Sequence, residues 1–155
     1  MLFMRLNTST DYAILTLMHL AASGKVVSSA ELASNISVSK RYLAQIASKL
    51  RKGGFIGVSM GSAGGYYLTK SPDEISIYDI VSLMEGSLEI LRYTKTNVRN
   101  HDVLYEAYAE LESHINGYMQ MTTLDVLTKK SKTEWRELVS NMAIQYAKEC
   151  NANAP

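Results

Sequence analysis

The chain has 155 residues, enough for one compact domain or for a small domain plus an interaction arm, and 46% of them are hydrophobic and 20% charged, as is ordinary for a soluble protein. No apolar run reaches the roughly 20 residues that a membrane-spanning helix needs, so we expect a cytoplasmic protein without a membrane partner. The single cysteine, Cys150, excludes an internal disulfide and a multi-thiolate metal site.

Charge is distributed unevenly along the chain. Residues 1–70 carry eight Lys and Arg against two acidic residues, a net charge of +6. Residues 71–155 carry eight basic residues against thirteen acidic ones, a net charge of −5. This asymmetry predicts that the N-terminal half faces a polyanion and the C-terminal half does not.

The first two predicted elements are helices. The segment "TDYAILTLMHLAA", residues 10–22, has a wide apolar stripe at helical spacing, and Gly24 is a plausible end. Ser28 and Glu31 have capping-box spacing, which predicts a short helix over about 29–35. We interpret His19, on the apolar first helix, as a structural residue.

A third helix follows in "SVSKRYLAQIASKLRKGGF". Its apolar residues recur at helical spacing, its basic residues lie outside that set, and Gly53-Gly54 ends it. Two short helices joined by a tight serine-rich turn resemble a helix-turn-helix.

A hairpin and a fourth helix complete the first domain. "FIGVSM" and "GYYLTK" are β-prone runs separated by "GSAG", and Pro72 ends the β segment. In "EISIYDIVSLMEG", Ser76 and Asp79 are cap partners and Gly86 is the stop. The fold is thus predicted to be mainly α with a small β-hairpin wing, a winged helix-turn-helix over residues 1–86.

The rest of the chain predicts a connector and a dimerisation arm. Residues 87–101 show no clear period, and a long helix follows from about Asp102 to Met121. A heptad-like seam steps by 4, 3, 4, 3 through Leu104, Tyr108, Leu111, Ile115 and Tyr118. We interpret it as a dimer interface; the alternative is packing on the helix's own domain. A last helix is expected at 133–149, within a C-terminal region of 102–155.

The predicted interface with double-stranded DNA combines the third helix and the wing. The start of a recognition helix meets base edges, where Arg pairs with guanine and Gln with adenine, while basic residues further along meet phosphates. The alternative is a solvated basic face, but no acidic residue occurs between Glu31 and Asp73. The predicted DNA-contacting residues are Ser28, Ser39, Lys40, Arg41, Tyr42, Gln45, Lys49, Arg51, Lys52, Ser62, Gly64, Gly65 and Tyr66.

The glycines of "MGSAGGYYL" could instead indicate a phosphate-binding enzyme loop. The stretch lacks the GK[ST] ending of a P-loop, and no helix follows it to receive a phosphate. We expect its glycines to allow positive φ and close approach to DNA, with the wing tip in a minor groove. Tyr66 or Tyr67 is expected to pack back on the helices. The three histidines are scattered, so catalysis has little support.

These motifs together resemble the Rrf family of bacterial winged-helix regulators over roughly residues 4–127. The resemblance lies in "RLNTSTDYAILTLMHLA", "SAELASNISVSKRYLAQIASKLRKGGFI", "GSAGGYYL" and "EISIYDIVSLMEG", with a weaker match at "TTLDVL". It implies a homodimeric transcription factor whose long helix crosses to the partner subunit. Two recognition helices would then meet consecutive major grooves of a near-palindromic operator.

The sequence departs from the iron–sulfur members of this family. They carry three cysteines in the loop before the dimer helix, and this loop has none. Tyr93 stands where the first cysteine would be and Asp102 near the third; Tyr105 occupies a histidine position, and His101 is out of step. We therefore expect no cofactor and no metal. Tyr93, His101 and Tyr105 remain a possible effector region, with ordinary packing at the subunit junction as the alternative for the tyrosines.

Two further departures concern the reading of DNA. Met60 stands where the wing commonly has arginine, and Ala44 where many members carry glutamate, so we expect a different operator. The resulting prediction is a homodimeric, sequence-specific regulator, a repressor that responds to a small molecule or partner protein. The alternative is a protein–protein interaction module that kept the fold and lost DNA binding.

Overall fold

The computed structural model of the protein describes residues 6–86 and 102–129. The α-α-α-β-β-α order predicted for the first domain is confirmed. No helix in the described ranges is both long and apolar enough to cross a bilayer. The predicted connector 87–101 and the helix expected at 133–149 lie outside those ranges.

The described elements have the following bounds. The helices are α1 (Thr8–Ser23), α2 (Ser29–Asn35), α3 (Lys40–Lys52), α4 (Ile77–Glu85), α5 (Asp102–Met121) and α6 (Leu124–Lys129). The strands are β1 (Ile56–Ser59) and β2 (Gly65–Leu68), and a 3₁₀ helix covers Pro72–Glu74.

Three of the helices begin at a serine cap. The hydroxyl of Ser28 accepts from the Glu31 N–H at 3.2 Å, the serine half of the predicted capping box. Ser39 caps α3 in the same way through the Tyr42 N–H at 3.2 Å. At α4 both halves of the box form, because the Asp79 carboxylate accepts from the Ser76 N–H at 3.0 Å. These local bonds satisfy first-turn amides that would otherwise have no partner, and so fix where each helix starts.

The turn between α2 and α3 contains a residue in the left-handed region. Ser37 has φ 57°, which L-residues other than glycine, asparagine and aspartate seldom adopt. The following Val38 N–H donates to the Ala33 carbonyl at 2.9 Å, while Ile36 is buried beneath the turn. Helices α2 and α3 pack against each other on either side of this turn.

The hairpin is an antiparallel pair whose register runs from Ile56 opposite Leu68 to Ser59 opposite Gly65. It is joined to the helices by an isolated bridge between Val27 and Tyr66. Each of these two residues donates its N–H to the other's carbonyl, both at 2.9 Å. The wing thus extends a short ladder that begins just before α2.

One hydrophobic core holds the described residues together. It lies where α1 meets α3, α4, α6 and β2. Burial of apolar side chains on several elements at once is the dominant stabilising term of such a domain. The largest fully buried side chains are Leu17, Leu20, Val27, Leu32, Leu43, Leu50, Ile56, Ile75, Ile80, Val81 and Leu124.

The chain returns to this core after the long helix α5, which packs against α4. The Ile77 N–H donates to the Thr122 carbonyl at 2.8 Å, and the Leu124 N–H donates to the Ile75 carbonyl at 2.9 Å. Helix α6 then packs on α1 and on the 3₁₀ helix. The segment "TTLDVL" therefore anchors the end of α5 to the start of α4.

The start of α1 is capped from a distant part of the chain. Glu85, the last residue of α4, accepts from the Asn7 N–H at 2.7 Å and also from the Asn7 side-chain amide and the Thr10 hydroxyl. Burial raises the pKa of the Glu85 carboxyl, but these hydrogen bonds outweigh burial and hold its pKa below the usual range. The carboxylate also lies at the positive end of the α1 dipole.

Glu85→Gln should lower the free energy of unfolding by about 1 kcal/mol at neutral pH, because the cap loses its charge. A depressed carboxyl pKa contributes stability that is present above the unfolded pKa, about 4.3, and is lost as pH falls through the folded value. The difference from the parent protein should therefore shrink below about pH 4.

Urea unfolding at several pH values measures this difference. Glu106→Gln, at an exposed position of α5, is the matched control and should stay close to the parent protein. A Glu85→Gln protein as stable as the parent at pH 7 would contradict the capping role.

Candidate nucleic-acid interface

Helix α3 has an apolar face and a basic face. Leu43, Ile46, Ala47 and Leu50 are buried in the core and so hold the helix in one orientation. The predicted residues Lys40, Arg41, Gln45, Lys49, Arg51 and Lys52 are exposed around the rest of the helix. The structure thus brings these six side chains onto one helix, with the position of Ala44 exposed among them.

The first turn of α3 is fixed by packing as well as by its cap. The Tyr42 ring meets the Tyr12 ring of α1 edge to face, with centroids 5.7 Å apart. Tyr42 is consequently half-buried, and its ring belongs to the domain's own packing. The Ser39 hydroxyl oxygen accepts a hydrogen bond from the Tyr42 N–H, and its own proton can be donated to a further group.

The start of α2 lies against the strand pair of the hairpin that is next to its loop. A Cβ placed on Gly65 would lie 2.9 Å from the Cα of Ser28 and 2.1 Å from the Val27 carbonyl oxygen, so only glycine fits there. The Ser28 hydroxyl oxygen, like that of Ser39, accepts a hydrogen bond from a backbone N–H, so its own proton can be donated to a further group. Ser28 and the wing therefore share one side of the molecule.

The wing glycines differ in their physical roles from what the sequence suggested. Gly61 has φ 104° and needs the freedom of glycine, as expected. Gly64 and Gly65 have no positive φ; a Cβ on Gly64 would lie 2.5 Å from the Ser59 carbonyl oxygen. These two glycines are required by close approach of the protein's own backbone, which a local sequence pattern does not reveal.

The two wing tyrosines also have different environments. Tyr66 packs against the core, as predicted for one of the pair. Tyr67 lies across Gly57 on the neighbouring strand, where a Cβ would meet the ring 2.3 Å away. Ser62 is exposed in the loop between the strands. The wing is thus held to the domain at Gly65 and Tyr66, close to its loop, and Ser62 within the loop is exposed.

The long helix carries the predicted dimer residues. Leu104, Tyr108, Leu111 and Tyr118 are exposed in the single chain, and Ile115 is half-buried. Tyr105, of the possible effector region, is half exposed on the same helix. Tyr93 and His101 lie outside the described residues.

Two contacts between elements were not foreseen from the sequence. Glu85 caps α1 across a separation of 78 residues, which no local spacing indicates. His19, expected to be structural, meets Asn35 at 3.0 Å between ring Nε2 and amide Nδ2 and so joins α1 to α2. The first contact joins α4 to the start of α1, and the second joins α1 to α2.

The described residues do not provide a metal centre. Within 6–86 and 102–129, no three His, Cys, Asp or Glu side chains converge in a way that could hold an ion. Cys150 is the single cysteine of the sequence, whereas protein-bound iron–sulfur clusters are held by several thiolates. The donor set present therefore does not fit such a cluster.

Comparison with known proteins identifies the family. The family model Rrf2, described as an iron-dependent transcriptional regulator, matches residues 6–130. The transcriptional regulator IscR of Klebsiella pneumoniae is 25% identical, over 97% of this chain and 93% of that protein. IscR of Pectobacterium carotovorum is 27% identical, over 83% of this chain and 82% of that protein.

Solved structures show the same architecture. CymR, the global cysteine regulator of B. subtilis, superposes with a TM-score of 0.75 at 23% identity, covering 84% of this chain and 100% of that one. IscR of T. potens gives a TM-score of 0.65 at 26% identity, covering 81% of this chain and 87% of that one. These relatives are transcriptional regulators and not enzymes. The chain therefore belongs to the Rrf2 family and is a DNA-binding transcriptional regulator with a winged-helix fold.

Proposed function

We propose that the protein is a homodimeric, sequence-specific regulator that reads a near-palindromic operator through α3 and the wing. The exposed basic face of α3 carries this proposal, since it shares its domain with a braced wing. The stretch from Leu32 to Pro72 has no acidic residue, so nothing in it repels a phosphate backbone.

Roles along α3 follow from position and chemistry. Arg41 and Gln45 lie near the N-terminal end, which meets base edges in a helix-turn-helix complex. Arg pairs bidentately with guanine and Gln with adenine. Lys49, Arg51 and Lys52 at the far end suit phosphates, which fix register without reading sequence. The hydroxyl protons of Ser28 and Ser39 can donate to the same backbone.

The dimer proposal rests on the apolar face of α5. In the single chain, four of the five seam residues remain exposed, with Leu111 at 45% and Tyr118 at 38%. Large apolar side chains repeated at heptad spacing are buried when two such helices pair. A two-fold dimer would present two copies of α3 to half-sites about one helical turn, or a multiple of it, apart.

Regulation would act through the geometry of this dimer. An effector shifts such an equilibrium only by its differential affinity for the two states. Among the described residues, Tyr105, which is exposed on α5 beside the seam, is the one best placed to contact an effector. We expect repression in the cytoplasm, because a dimer seated on consecutive major grooves blocks that DNA to other proteins.

The first test separates this proposal from an interaction module that has lost DNA binding. Binding to mixed-sequence duplexes is measured across a salt series, from about 50 to 200 mM. A regulator should lose affinity with a slope of roughly 0.9 log units per log unit of salt for each phosphate contacted. A flat response, or no binding at low salt, would favour the interaction module.

Arg41→Ala should weaken binding to a selected operator by about 1–3 kcal/mol and relax base preference at one position of each half-site. The readout is competition between the selected duplex and single-base variants of it. Lys129→Ala, on α6, removes an equal charge from a lysine that pairs with Asp125 at 2.6 Å and should leave binding unchanged. An equal loss on all sequences would reassign Arg41 to phosphate contact.

Leu111→Asp should convert the dimer to monomers, because it places a charge in the apolar seam. Sedimentation equilibrium measures the change. Ser113→Asp adds the same charge at an exposed position of α5 outside the seam, and that protein should remain dimeric. A dimeric Leu111→Asp protein would exclude this face as the interface.

A further inference from the structure

The wing carries no charge. From Gly53 to Thr69 the sequence contains no Asp, Glu, Lys, Arg or His. This stretch includes both strands and the loop between them. The neighbouring face of α3 is strongly basic, so the two DNA-facing elements differ in electrostatic character. The wing cannot contribute to binding through phosphate neutralisation, which requires a cation.

The loop of this neutral wing begins at Met60. Its side chain is 89% exposed, the highest value among the exposed large apolar residues of the described part of the chain. Single apolar residues on a surface are common and need no special role. Met60, however, directly follows the last strand pair, Ser59 opposite Gly65, and is the first residue of the loop between the strands.

The position of Met60 is fixed relative to the rest of the interface. Gly65, in the terminal strand pair, abuts Val27 and Ser28 at the start of α2. Tyr66, the next residue, makes the two bridge hydrogen bonds with Val27. The loop itself is closed by a hydrogen bond from the Gly64 N–H to the Gly61 carbonyl at 3.0 Å. The methionine is therefore presented on a braced hairpin.

We infer that Met60 enters the minor groove of the operator as an apolar wedge at a deformable base step. This inference rests on the proposed DNA-binding function and specifies how the wing takes part in it. Methionine is among the side chains that proteins insert between base steps, partly unstacking them and bending the duplex. Its unbranched thioether adapts to an irregular apolar surface.

The absence of charge decides which DNA sequence the wing prefers. A narrow, strongly negative minor groove at an A-tract attracts inserted cations, and this wing has none to offer. Pyrimidine–purine steps such as TA and CA are flexible and easily unstacked, so an apolar wedge costs least there. The wing would then favour operators whose base steps are easily deformed, at positions flanking the bases that α3 contacts.

The test uses the full-length protein and the tightest duplex selected from random sequence. Hydroxyl-radical protection locates the step beneath the wing, and that step is exchanged between TA and an A-tract. Four proteins are compared: the parent, Met60→Leu as the apolar control, Met60→Gln as a polar side chain of similar length, and Met60→Arg. Affinity, salt dependence and the end-to-end distance of a doubly labelled duplex are measured.

We expect the parent and Met60→Leu to prefer the TA duplex and to bend it. Met60→Gln should bind that duplex about tenfold more weakly and bend it less, with an unchanged salt slope, because no charge is altered. Met60→Arg should steepen the slope by about 0.9 for each phosphate gained and shift preference toward the A-tract.

Two results would overturn the wedge while leaving the proposed function intact. One is Met60→Gln binding and bending within twofold of the parent; the other is Met60→Arg with an unchanged salt slope and unchanged step preference. A parent protein that binds no duplex at low salt would overturn both proposals together. Because Met60 is exposed, circular dichroism should show all four proteins equally folded.

Discussion

The pair of backbone hydrogen bonds between Val27 and Tyr66 fixes the arrangement of the elements that we propose contact DNA. Val27 is fully buried and directly precedes the Ser28 cap of α2, while Tyr66 lies on β2 and packs on the core. The bridge forms only because residue 65 has no side chain. One glycine thus allows the helix-turn-helix and the wing to act as one rigid unit. The cost is entropic, because glycine loses more conformational freedom on folding than any other residue.

In the proposed complex with DNA, the two parts of that unit would contribute different kinds of recognition. Helix α3 would bring concentrated positive charge, which supplies affinity that depends on salt but carries little sequence information by itself. The wing is uncharged, so its contribution comes from shape and apolar contact. Because charge would come from α3 and apolar contact from the wing, a substitution in the wing could change sequence specificity without a large change in non-specific affinity for DNA.

Sequence reasoning succeeded where structure is set locally. The caps at Ser28 and Ser76 and the stop at Gly86 depend on neighbours within a few residues, and the apolar period of α3 shows directly which face is buried. It failed where distant segments meet: Glu85 at the start of α1, and the close approach of Gly65 to Val27. The 3₁₀ helix that begins at Pro72 was also missed, although Ser71 and Glu74 have capping-box spacing. The predicted DNA-contacting residues lie on α3 with its cap, on the hairpin and its loop, and, for Ser28, at the start of α2, and their contacts with DNA are a proposal.

The hydrogen bonds that join Thr122 and Leu124 to the start of α4 have a mechanical consequence. They attach the end of α5 to the domain that contains α3 and the wing. In a dimer, a tilt of one α5 would therefore move α3 and the wing of that subunit with it. Over the roughly 30 Å of a 20-residue helix, a tilt of about 5° displaces the far end by about 2.5 Å. A hydrogen bond to a base edge tolerates only a few tenths of an ångström beyond its normal length. A change of angle too small to disturb the core could therefore take one half of the dimer out of phase with its half-site.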